Sequence, residues 1–97
     1  MTESSWWRKI VVIVKVKPLD IFQAIIGETE VILELDDGTN ILDLLKVLKA
    51  KYKIYERMYL MIMKNGRHIR FLAGGKTQLE NNDIITIASP SLEVYKT

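Results

Sequence analysis

A chain of 97 residues with a net charge of +2, a pI near 8.9 and 48% hydrophobic residues is sized for one domain with an adequate core. With no cysteine it excludes disulfides, thiolate metal sites and cysteine nucleophiles, and the lone His68 cannot build a histidine metal centre. Basic and acidic residues are interleaved, with Lys15 and Lys17 set against Glu28, Glu30, Glu34, Asp36 and Asp37, so there is no basic stripe of the kind nucleic acid demands.

Along the chain, residues 1–8 read as a flexible leading segment. No apolar run reaches the ~20 residues of a membrane span, and the run from Ile10 to Val14 is too short for a secretory signal. The expectation is a cytoplasmic protein. Ile10 to Lys17 alternate and are β-branched, which predicts a strand with Ile10, Val12, Val14 and Val16 on one face. Pro18 suits the first position of a short helical turn in which Leu19, Phe22, Ile25 and Ile26 supply apolar contacts and Gly27 a stop. A second strand is predicted from Thr29 to Leu35, with Val31, Leu33 and Leu35 on one face, and Asp36-Asp37-Gly38 as the following turn.

Next comes the clearest helix. Ile41, Leu44, Leu45, Leu48 and Tyr52 form one stripe on a 3.6-residue period, and Asn40 with Asp43 approximates a capping box. The lysines in its C-terminal half suit the helix dipole and read as a solvated end. After a linking loop, a strand from Tyr59 to Lys64 enters an Asn65-Gly66 turn. Gly74-Gly75 falls in a polar loop that needs unusual backbone angles, and the last strand runs from Ile84 to Ala88. The order is β-β-α-β-(short β)-β, an α+β layer of one main helix on a mixed sheet of four to five strands.

Particular residues sharpen this into a resemblance. They are Pro18-Leu19, Ile26-Gly27-Glu28, Gly38-Thr39, Asp43-Leu44-Leu45, Leu48, Asn65-Gly66, Ile69, Thr77, Leu79, Asp83-Ile84-Ile85, Ile87 and Pro90. In that order and spacing the chain resembles the ubiquitin-like β-grasp sulfur carriers, the MoaD (molybdopterin synthase small subunit) and ThiS family, over residues 9–90. The resemblance implies a β-grasp domain followed by a tail, residues 91–97.

In those carriers a Gly-Gly pair a few positions beyond the proline is adenylated and converted to a thiocarboxylate that donates sulfur. The tail threads a narrow channel, which glycine permits and a Cβ obstructs. Here Glu93 and Val94 stand at those positions, followed by Tyr95, Lys96 and Thr97. Cleavage after Gly75 would not restore a terminal pair, since it would remove the last strand.

The sequence shows no serine–histidine–acid set, no phosphate-binding glycine loop and no paired carboxylates beyond turn acids, so no catalytic, cofactor or metal residues are assigned. Alternation does leave a second apolar set. With Ile10, Val12, Val14, Val31, Leu33, Ile85 and Ile87 facing the helix, the expected outward set is Val11, Ile13, Leu60, Ile62, Ile84, Thr86 and Ala88. Together with Pro90 these are the candidate partner-binding residues, as one contiguous patch that Trp6 and Trp7 could also cover.

The functional expectation is a non-catalytic protein-binding module related to molybdopterin or sulfur-transfer pathways. Its implied partner resembles an activating enzyme or a molybdopterin synthase large subunit, with self-association as another use of the patch. The alternative is a working sulfur carrier with an atypical or processed tail.

Overall fold

The computed structural model describes residues 10–54 and 60–89. The leading segment with Trp6 and Trp7, the loop 55–59, Pro90 and the tail lie outside the described residues. The elements in order are β1 (Val11–Pro18), α1 (Ile21–Ile26), β2 (Val31–Asp36), α2 (Ile41–Lys51), β3 (Met61–Lys64), β4 (Arg67–His68) and β5 (Ile84–Ala88). Two 3-10 turns, Ile69–Phe71 and Gly74–Lys76, fill the stretch between β4 and β5.

The strands form one mixed sheet in the order β2-β1-β5-β3-β4. β1 pairs antiparallel with β2 and parallel with β5, so the first and last strands lie side by side at the centre. The parallel pair requires a crossover, and the chain between β2 and β3 supplies it through α2. Val12, Val14 and Val16 alternate inward with Val31, Leu33 and Leu35, and with Ile85 and Ile87. Against them α2 lays Ile41, Leu44 and Leu48, all fully buried, while Leu45 and Tyr52 pack at the margin.

The predicted capping box is present. Asn40 Oδ1 accepts from the Asp43 N–H at 2.9 Å, and an Asp43 carboxylate oxygen accepts from the Asn40 N–H at 3.3 Å. Gly27 ends α1 at φ 82°, its N–H donating to the Gln23 carbonyl. Asn65 and Gly66 both take positive φ, 51° and 85°, the combination that a tight two-residue hairpin between β3 and β4 requires.

Three local expectations are corrected. Pro18 does not open the helix; it closes β1, fully buried opposite Ile87. Lacking an N–H, it leaves the next ladder bond to Leu19, whose N–H donates to the Ile87 carbonyl at 2.8 Å, and Leu19 itself points to solvent. Ile10 precedes the strand and is 73% exposed, not turned to the helix. Of the two loop glycines, only Gly74 has a positive φ; Gly75 is small for a different reason. A Cβ there would stand 2.6 Å from Cγ of Leu42 on α2, so Gly75 permits the loop to close on the helix.

Candidate functional site

The sheet has one face on α2 and one face away from it, and strand register decides which residues reach the second. Ile13 on β1 is 42% exposed, Ile32 on β2 59% and Ile84 on β5 37%, with Val11 beside them. The expected outward positions Val11, Ile13 and Ile84 are therefore where the alternation put them. Thr86 is half-buried, and Ala88 keeps the outward register but is buried. Pro90 lies outside the described residues.

Leu60 and Ile62 are corrections. Ile62 lies opposite Ile87, only 5% exposed and within the core, and Leu60 packs against the same core. The outward residues of β3 are instead Met61 and Met63, opposite Ala88 and Thr86. The run Leu60-Met-Ile-Met is apolar at every position, so periodicity could not fix its phase; pairing with β5 does. Ile32 was also missed, although it alternates with the inward Val31 and Leu33 and could have been found from that strand alone.

The outer face is not one unbroken apolar patch. In the register, Lys15 lies between Ile32 and Ile84, and Lys17 lies beside Thr86. Both lysines reach Glu30, at 3.6 and 4.0 Å, in exposed pairs worth ~0–1 kcal/mol each. Around Lys15, with Ile32 on one flank and Ile84 on the other, Ile13, Ile32, Ile84, Asn82 and Asp83 line a depression of about 280 Å³. Farther along the face, beyond β5, are Met61 and Met63, with Thr86 and His68 opposite Met63.

A polar knot fixes the end of this face. The Asp83 carboxylate accepts from the Glu80 N–H (2.7 Å) and from Asn65 Nδ2 (2.8 Å), and pairs with Lys64 Nζ at 3.3 Å. Lys64 Nζ also bonds Glu80 at 2.9 Å and the Gln78 carbonyl at 3.0 Å. Asn65 closes the circuit by accepting from the Ile84 N–H. Burial disfavours the Lys64 ammonium, but the Glu80 hydrogen bond and the Asp83 charge outweigh it and raise its pKa above the ordinary 10.5. The knot joins the hairpin to the entry of β5.

Elsewhere the described residues hold no group of three or more metal-ligating side chains, and no helix among them is long and apolar enough to cross a membrane. His68 accepts the Arg70 N–H at Nδ1 and meets Phe71 edge to face, which uses the imidazole locally.

A five-stranded mixed sheet with β1 and β5 parallel at its centre and one helix across it defines the ubiquitin-like β-grasp class. The sequence model of the ThiS family matches residues 20–90, and the chain belongs to that family. Among solved structures, it is similar to small archaeal modifier protein 1 from Methanosarcina acetivorans, with 28% identity and a TM-score of 0.71 over 84% of this chain and 95% of that one. It is similar in fold to a Pyrococcus furiosus protein assigned as molybdopterin converting factor subunit 1, with 23% identity and a TM-score of 0.73 over 82% and 99% of the two chains. A chain of the BexX/CysO complex from Amycolatopsis orientalis also shares the fold, with 18% identity and a TM-score of 0.62 over 80% and 96%. No curated protein sequence matches at a significant level. The fold is thus that of the ThiS- and MoaD-like sulfur carriers.

Proposed function

We propose that this chain is a non-catalytic protein-binding module of molybdopterin or sulfur-transfer metabolism, working in the cytoplasm and docking its partner through the outer sheet face. The carrying observation is that Ile13, Ile32 and Ile84, drawn from three strands, surround one depression on the side of the sheet that α2 leaves open. Apolar side chains gathered in this way on a small domain suit a partner surface. The chain in the Amycolatopsis orientalis complex has the same fold in a protein assembly, which supports a protein partner here. The partner we assign resembles an activating enzyme or a molybdopterin synthase large subunit.

The test is titration of wild type, Ile13→Glu and Ile84→Glu against each of those two purified proteins. Binding by wild type and a loss of about tenfold or more in both variants is expected, the scale of removing an interface anchor. Equal affinity of the variants removes the face from the reading, and no binding by wild type removes the partner. Both substitutions are at exposed positions and should leave the amide spectrum native, whereas Ile62→Glu should unfold the domain by placing a charge in its core. Incubation with the activating enzyme and ATP should leave the intact mass unchanged. An acyl-adenylate or thiocarboxylate mass would establish the alternative, a working carrier with an atypical tail.

A further inference from the structure

A second feature, independent of the outer-face reading, is the edge of the sheet at β2. β2 is an outermost strand among the described residues, and the register shows which of its backbone groups point away from β1. On β1, the N–H groups of Ile13 and Lys15 and the carbonyl of Ile13 are directed to the β5 side, where they meet Asn81 Oδ1, the Asp83 carbonyl and the Asn82 N–H. Ile13 and Lys15 lie opposite Glu34 and Ile32. In an antiparallel ladder, residues opposite one another turn their backbone groups either toward each other or both away. The N–H and C=O groups of Ile32 and Glu34 therefore point out of the sheet, and among the described residues no strand lies on that side.

The side chains along this edge set the chemistry of what could pair there. Outward, β2 and the residue before it present Glu30, Ile32 and Glu34, all exposed, while Val31, Leu33 and Leu35 face the core. Glu30 is shared with Lys15 and Lys17, but Glu34 lies opposite the apolar Ile13 and pairs with no cation among the described residues. A second copy of β2 is a poor occupant. Antiparallel registers centred on Ile32 oppose Glu30 to Glu34, those centred on Glu34 oppose it to itself, and the intermediate one opposes Glu30 to Asp36. Like charges directly across a ladder are destabilising.

We infer that the β2 edge accepts an extended segment of another protein as a sixth strand, with cation–x–apolar–x–cation alternation. The cations meet Glu34 and Glu30, the apolar residue meets Ile32, and the intervening residues extend the row formed by Val31, Leu33 and Leu35. Main-chain bonds to Ile32 and Glu34 supply the pairing, and the acids supply the selection.

The probe is the capped peptide acetyl-Lys-Val-Val-Val-Lys-amide, titrated into isotopically labelled protein. Shifts and slowed exchange centred on the Ile32 and Glu34 amides are expected. Glu34→Lys should weaken binding about tenfold, and exchanging only the peptide lysine that faces residue 34 for glutamate should restore it to that variant. N-methylation of the central valine should also weaken binding about tenfold, because in an antiparallel sixth strand its N–H donates to the Ile32 carbonyl. Equal binding of the N-methylated peptide would reduce the contact to charge alone and overturn the strand. Shifts located away from β2, or an absence of binding, would show that the acids only keep the edge from pairing.

Discussion

Lys64 and Asp83 illustrate how one partly buried cation can organise a corner of a small fold. Asp83 is buried, and removing its cation leaves a carboxylate with two N–H donors and no counter-charge. Lys64→Met should therefore cost about 2–3 kcal/mol in urea unfolding at pH 7. The sign of the pH dependence follows from the raised pKa. The ammonium contributes fully below the unfolded-state value near 10.5, and its contribution fades as pH rises through the higher folded-state value. The gap between wild type and Lys64→Met should stay flat up to about pH 10 and narrow above it; a constant gap through pH 12 would show that the charge is not what matters. Asp20 makes a different point. It sits at φ 56°, ψ −133°, a conformation suited to glycine; its carbonyl accepts from the Gln23 N–H at 3.1 Å and its carboxylate from the Ser89 hydroxyl at 3.3 Å. Asp20→Gly should stabilise by about 1 kcal/mol, strain relief exceeding the glycine's extra entropy in the unfolded chain. A lower urea midpoint in the variant would refute this.

At the scale of elements, α2 divides its apolar stripe unequally. Leu44 is fully buried and Leu45 only partly, so Leu44→Ala should cost about 3–4 kcal/mol and Leu45→Ala about 1–2, measured by urea midpoints at constant m-value. Comparable losses would mean the helix is rotated from its described orientation. This helix was the most legible element, because a five-residue stripe and a side-chain cap both specify it locally. β3 was the least legible: four consecutive apolar residues carry no phase, and the inward choice of Ile62 over Met61 and Met63 follows from its register with β5. The α1 region misled for a local reason. Proline fits both the start of a helix and the end of a strand, and pairing with Ile87 selects the strand.

For the whole molecule, the decisive feature is that β1 and β5, from opposite ends of the sequence, are parallel neighbours at the sheet centre. Ile85 and Ile87 are fully buried there, so a chain ending before Ile84 should lose its cooperative unfolding transition; a sharp transition in that truncation would contradict this account of the core. The same arrangement assembles the outer depression from Ile13, Ile32 and Ile84.

Composition, the helical stripe, the Asn65-Gly66 turn and the family-like order were written in the sequence alone, because each depends on residues within a few positions of one another or on their succession. The phase of β3, the lysine row dividing the outer face, the Lys64–Asp83 corner and the open β2 edge were decided only by tertiary structure. Those features depend on which residue of one strand lies opposite which residue of another, and a shift of one position turns every side chain to the other face.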